Sequence, residues 1–176
     1  RGAEKKLVEL LKESGVPYRV SDERFVGPGI RVSFNGELRD GQSEAVERLL
    51  GFENGILSAP TGFGKTVIGA AVIAQLKTPT LVIVPKTALV PQWKARLGEF
   101  LDIDEELPPL LTPTGRKSRR KRSPIGQIGG GKNERSGIID IATFQSLVEK
   151  DEEGYPRAKD FVKEYGLVIV DECHHG

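Results

Sequence analysis

Three absences narrow the reading before any motif is considered. The chain has a single cysteine, Cys173, so no internal disulfide can form and a reducing compartment is expected, cytoplasmic or, in a eukaryote, nuclear. Methionine is missing altogether, the initiating residue included, which reads as a piece excised from a longer protein. No apolar run approaches the roughly 20 residues that cross a bilayer. The start, Arg1-Gly2-Ala3-Glu4-Lys5-Lys6, is followed by no apolar signal segment, so no membrane partner is expected. No internal repeat is visible either.

What remains is an ordinary globular composition. The 176 residues are 38% hydrophobic and 29% charged, which suits one domain with a small appendage. Net charge is only +1, but it is uneven. Between Thr114 and Arg135 lie Arg116, Lys117, Arg119, Arg120, Lys121, Arg122, Lys132 and Arg135 against one acid, Glu134. That segment carries +7, which leaves −6 on the remainder. A basic island on an acidic body fits a polyanionic partner, and it equally fits a solvated loop.

The pattern along the chain is α/β. Leu7, Val8, Leu10 and Leu11 make a helical stripe that Gly15 and Pro17 stop. Short extended pieces are expected at residues 18–20, 24–26 and 31–34, with Gly27-Pro28-Gly29 and Asn35-Gly36 as turns. Residues 1–36 therefore read as a small α/β appendage. From Leu38 onward, strands and helices alternate: a helix over 40–50, a strand at 56–59 and a helix at 65–76. A strand at 80–84, a helix at 88–101, a strand at 138–142 and a short helix at 144–148 follow. Last come a helix at 158–165 and a strand at 167–170. The runs at 81–84 and 167–170 are apolar at every position, which predicts burial on both faces of a mostly parallel sheet. Residues of about 112–137 form an irregular basic loop, with one possible strand at 125–128.

Ala59-Pro60-Thr61-Gly62-Phe63-Gly64-Lys65-Thr66 fits the Walker A phosphate loop, with Ala in the first glycine place. Gly62 and Gly64 let backbone N–H groups converge on phosphate oxygens. The helix starting at Lys65 turns its positive end to the anion. Lys65 adds a point charge at the β- and γ-phosphates, and the Thr66 hydroxyl suits magnesium. A strand before and a helix after supply the context the motif requires.

The strand at 167–170 ends in Asp171-Glu172. Asp171 is placed to hold Mg²⁺, and Glu172 to orient and deprotonate an attacking water. Alone, an acidic pair after a strand reads as a solvated turn; about 105 residues after a phosphate loop it reads as a nucleotide site. Cys173, His174 and His175 are consecutive, and adjacent residues rarely place three ligands on one ion, so no metal is assigned to them.

Asp171-Glu172-Cys173-His174 resembles the DExH box of superfamily 2 helicases, and other segments match that family in order. Leu38-Arg39-Asp40-Gly41-Gln42 resembles its arginine–glutamine segment, in which the glutamine contacts adenine; the resemblance carries that role to Gln42 and extends it to Arg39. Val84-Pro85-Lys86-Thr87-Ala88-Leu89-Val90-Pro91-Gln92-Trp93 resembles motif Ia, and Ile141-Ala142-Thr143-Phe144-Gln145-Ser146-Leu147 a later threonine motif on the same face. The family's role for these segments implies nucleic-acid contacts at Lys86, Thr87 and Thr143. Plainer readings stay open: Gln42 as an exposed helix residue, and Trp93 as a core anchor, since it lies within the apolar pattern of its helix.

The resemblance covers residues of about 37–176 and is closest to restriction- and repair-type members. It implies a RecA-like three-layer α/β/α domain, with ATP on residues 60–66 and Mg²⁺ between Thr66 and Asp171. It also implies nucleic acid, DNA or RNA with DNA favoured, as the partner, and a second RecA-like domain, absent here, that supplies an arginine. Such an arginine is worth roughly 10³ to 10⁵ in rate, so the chain alone is expected to hydrolyse little ATP. The next strand and motif III of the family are also absent, so the sheet is expected to be incomplete. Two rivals remain: a P-loop phosphotransferase or switch unconnected with nucleic acid, and a nucleic-acid-binding module with a vestigial nucleotide site.

Overall fold

The computed structural model describes residues 4–19, 28–109 and 122–173. The extended pieces expected at Val20 and at residues 24–26 lie outside these, as do Arg116 to Lys121 and His174. In chain order the elements are α1 (Glu4–Glu13), β1 (Val32–Phe34), α2 (Asp40–Leu50), α3 (Lys65–Leu76), β2 (Thr80–Val84), α4 (Leu89–Phe100), β3 (Leu101–Ile103), β4 (Ile125–Gly129), β5 (Lys132–Glu134), β6 (Ile139–Thr143), β7 (Val148–Lys150), β8 (Pro156–Ala158) and β9 (Leu167–Val170). Two 3-10 helices, Phe144–Leu147 and Asp160–Glu164, stand where a short helix at 144–148 and a helix at 158–165 are expected from the sequence; Ala158 belongs instead to β8.

The main sheet runs β5-β4-β6-β2-β9. All its pairings are parallel except the β4–β5 hairpin. Thr-Leu-Val-Ile-Val in β2 is almost wholly apolar and β-branched, a composition suited to a central strand covered on both faces. Alternation then sorts the core. Val82, Val84, Ile139 and Ile141 point to the face covered by α3 and α4, where Ile73, Val90, Trp93 and Leu97 meet them. Leu81, Ile128 and Ala142 point to the other face, against Leu147 and Tyr165. The expected α/β class with a mostly parallel sheet flanked by helices is what forms, although the second layer consists of 3-10 turns.

Three local expectations fail for identifiable reasons. Residues 56–59 have no regular secondary structure and pair with no strand among the described residues, and Ile56 is 83% exposed; apolar composition alone does not make a ladder. β9 is not buried on both faces: Val168 and Val170 are 45% and 51% exposed, because β9 is the edge of the sheet. The helix expected to run to Leu101 stops at Phe100, where Leu101 turns extended and begins β3. β3 pairs antiparallel with β1, Val32 opposite Ile103, and Ile30 and Val32 join the core of α3 and α4. This pairing ties residues placed in the appendage to the main body. In contrast, Leu7 and Leu10 on the apolar stripe of α1 stay more than half exposed.

One buried polar group organises the second face. Asp140 is 0% exposed. Its carboxylate accepts the N–H groups of Ser136 and Gly137, both at 2.7 Å, and the Tyr165 hydroxyl at 2.8 Å. Gly126 lies against it, and a Cβ there would overlap the carboxylate. Burial, and then the Asp140 charge and hydrogen bond, push the Tyr165 phenol above its usual range.

Asp140→Ala, which strands three donors, is expected to cost about 3 kcal/mol or more in chemical denaturation. Because the folded-state phenol is raised, its contribution is complete below about pH 10 and is lost as pH rises further. Tyr165→Phe should therefore lower stability at neutral pH and weaken the alkaline loss seen in pH-dependent unfolding.

Candidate nucleotide and nucleic-acid site

The phosphate loop is shaped by two glycines in the left-handed region, Gly62 at φ 82° and Gly64 at φ 91°. Gly64 is the N-cap of α3 and brings no side-chain cap, so the first N–H groups of the helix depend on an external acceptor. Lys65 folds back over the turn, its Nζ donating to the Ala59 carbonyl at 3.3 Å. Thr66 sits half-buried in the first helical turn. Within the loop, the Phe63 N–H donates to the Pro60 carbonyl at 3.2 Å, and Thr61 is exposed.

The loop is braced from α2. Gln42 is 3% exposed, which removes the reading of a solvated helix residue. Its Nε2 donates to the Phe63 carbonyl at 2.7 Å, and the Arg39 guanidinium donates to the same oxygen at 3.0 Å. The Gln42 Oε1 in turn accepts the Arg39 N–H at 3.1 Å, closing the first turn of α2. A Cβ at Gly64 would overlap the Gln42 amide, so position 64 needs glycine for space as well as for φ. In this structure the Arg39–Gln42 pair grips the backbone of the loop.

The acidic motif leaves β9 beside β2. The Asp171 N–H donates to the Ile83 carbonyl at 2.9 Å, extending the parallel ladder by one residue. Its Oδ2 accepts the Trp93 indole N–H at 2.8 Å. Glu172 follows at φ 53°, a left-handed conformation that costs a non-glycine residue about 1 kcal/mol or more and here redirects the chain at the strand end. A Cβ on Gly69 of α3 would lie 3.3 Å from the Trp93 ring and 3.7 Å from Ile169. Trp93 thus bridges the helix that starts at Lys65 and the carboxylate of Asp171. Asp171 lies at the C-terminal end of a parallel strand, where ligands bind in open α/β sheets. The oxygen donors Thr66 and Asp171 suit Mg²⁺, which keeps waters and phosphates as its other ligands.

The second set of residues lies at the same end of the sheet. Lys86 and Thr87 are exposed at the start of α4. Thr143 is only 6% exposed, its hydroxyl 3.3 Å from that of Ser146, while Phe144 beside it is 61% exposed. The sequence reading missed the turn between β4 and β5. Gly129, Gly130 and Gly131 all have positive φ (108°, 64° and 77°). A Cβ on Gly130 would press on the Thr87 methyl, and one on Gly129 on the Thr143 hydroxyl. The run of three glycines was the available signal, and its pairing with Thr87 and Thr143 required the fold.

Residues 35–176 match the family described as the type III restriction enzyme, res subunit. The chain is 34% identical over 139 residues to the DNA 3'-5' translocase XPB2 of Sulfurisphaera tokodaii, covering 79% of this chain and 25% of that protein. It is 30% identical over 138 residues to the DNA 3'-5' helicase XPB of Kineococcus radiotolerans, covering 78% and 22%. Among solved structures, the UvsW helicase from bacteriophage T4 matches with a TM-score of 0.58 at 20% identity, over 98% of this chain and 61% of that one, which supports the fold. The chain spans about a quarter of the length of the curated relatives it matches.

Gly64→Ala is expected to lower the melting temperature and to weaken nucleotide binding at least tenfold, through forced φ and the clash with Gln42; the strain alone is worth about 1–2 kcal/mol. Calorimetric binding of ATP with Mg²⁺ checks the second effect. Gln42→Ala should reproduce part of the loss without the strain.

Proposed function

The chain belongs to the family described as the type III restriction enzyme, res subunit, as an N-terminal RecA-like domain of superfamily 2, and we propose that it is the ATP-binding domain of a longer protein that hydrolyses ATP to drive movement on, or remodelling of, DNA. The observation that carries the proposal is that Trp93 meets both α3, the helix the phosphate loop opens, at Gly69, and the Asp171 carboxylate at the C-terminal end of β9. That arrangement has what phosphoryl transfer to water requires. The backbone of residues 62–66 cradles the phosphates, and Lys65 neutralises charge at the β and γ positions. Gln42 and Arg39 hold the loop in shape from outside, and the family resemblance would put adenine beside Gln42. Thr66 and Asp171 would hold Mg²⁺, which supplies charge stabilisation to the transferring group. Glu172 orients water and takes its proton as the oxygen attacks the γ-phosphorus and the bond to the β–γ bridging oxygen breaks. The products are ADP and phosphate.

Lys86, Thr87 and the glycine turn at 129–131 give an exposed strip of cationic, hydroxyl and backbone N–H groups. Such a strip suits sugar–phosphate contacts with little sequence preference. Thr143 supports that strip from beneath. We assign residues 1–36 and 37–176 to an appendage and the motor domain, and a second RecA-like domain to the remainder of the protein. DNA is favoured as the substrate because the named relatives act on it. Among the described residues no helix is long and apolar enough to cross a membrane.

ATP hydrolysis by a longer protein containing this chain, measured with single-stranded DNA, double-stranded DNA and RNA, tests the reading. DNA should stimulate turnover, and Glu172→Gln should remove about 10² or more of it. Hydrolysis indifferent to every nucleic acid would instead favour a phosphotransferase or switch. The isolated chain should hydrolyse little. DNA affinity should fall with salt at a log–log slope of about −0.7 for each neutralised phosphate on single strands; a flat salt profile would contradict phosphate contacts.

A further inference from the structure

Trp93 is the only tryptophan of the chain, and it is 3% exposed. A core position of that kind is filled as well by phenylalanine. Indole adds one polar atom, a donor without acceptor capacity, which must find a partner when buried. Here the partner is the carboxylate that closes β9, at 2.8 Å. The Asp171 N–H is held by Ile83 of β2, so backbone and side chain of Asp171 are both fixed by the β2–α4 unit. The donor takes one lone pair of Oδ2 and leaves Oδ1 open to a metal. Trp93 lies one helical turn beyond Leu89, and the turn that begins α4 contains Lys86 and Thr87, whose carbonyls accept the Leu89 and Val90 N–H groups. A displacement of that turn by bound nucleic acid would therefore move a group bonded to the metal-holding carboxylate.

We propose that Trp93 is a positioning residue: its indole N–H orients Asp171 for Mg²⁺ and ties the 86–88 turn to the nucleotide site. This rests on the reading of Asp171 as a magnesium ligand. Partners of metal-holding carboxylates commonly contribute on the order of 10- to 100-fold in metal affinity.

The test uses two readouts on the 176-residue chain. The first is the affinity for the β,γ-imido analogue of ATP in Mg²⁺ and in EDTA. Trp93→Phe keeps an aromatic ring but no donor. It should lower the ratio of the two affinities about tenfold while leaving the EDTA value unchanged, whereas a purely structural loss would weaken both. An unchanged ratio in Trp93→Phe, with the ratio abolished in Asp171→Asn, overturns the positioning role and leaves the nucleotide site standing. An unchanged ratio in Asp171→Asn overturns the magnesium assignment and the proposal together. The second readout needs no Trp93 variant. With one tryptophan the chain has one indole ¹⁵N–¹H resonance, which Asp171→Asn should move, and which Mg²⁺ with the analogue should move in the unsubstituted chain. A resonance indifferent to Asp171→Asn overturns the proposal even if Trp93→Phe does not fold.

Discussion

β2 is hydrogen-bonded in parallel on both edges, to β6 and to β9, and this double pairing sets where the chemistry lies. Parallel strands end together. The segments that follow β2, β6 and β9 therefore leave the sheet at one end: the 85–88 turn, the Thr143 segment and Asp171-Glu172. A five-residue apolar strand, covered on one face by α3 and α4 and on the other by Leu147 and Tyr165, makes that arrangement rigid. The register fixes it further, since a slip of one residue would turn Val82 and Val84 away from their helices.

On this platform the functional groups are held by polar contacts that the core could not supply. The phosphate loop has no strand pairing among the described residues to stiffen it. Its shape is set by left-handed glycines and by two side-chain donors on the Phe63 carbonyl, Gln42 of α2 and its N-cap Arg39. Asp171 is held by a backbone donor bond and an indole. Asp140 performs the corresponding service away from the site, anchoring the approach to β6 and the tyrosine that precedes β9. Gln42, Asp140 and Thr143 are buried polar side chains, and each is bonded, as burial demands.

The left-handed glycines show two kinds of requirement. Gly62 has open space around its missing Cβ and needs only its φ. Gly64 and Gly130 need both φ and room, because Gln42 and Thr87 occupy the place a side chain would take. The second kind marks close approaches between segments distant in sequence, one beside the phosphate loop and one beside the 85–88 turn.

The amino-acid sequence by itself determined whatever is local. The helix over 40–50, the helix starting at Lys65, the apolar strands at 80–84 and 167–170, and the phosphate-loop and acidic motifs follow from short-range periodicity and from chemistry at fixed spacing. Tertiary structure decided what depends on pairing. β3 exists because β1 lies beside it, and residues 56–59 form no strand because nothing described pairs with them. Gln42 grips Phe63, the glycine turn meets Thr87, and Trp93 reaches Asp171 across 78 residues of sequence. A hydrogen bond between distant residues leaves no period in either segment, so only the folded chain reveals it.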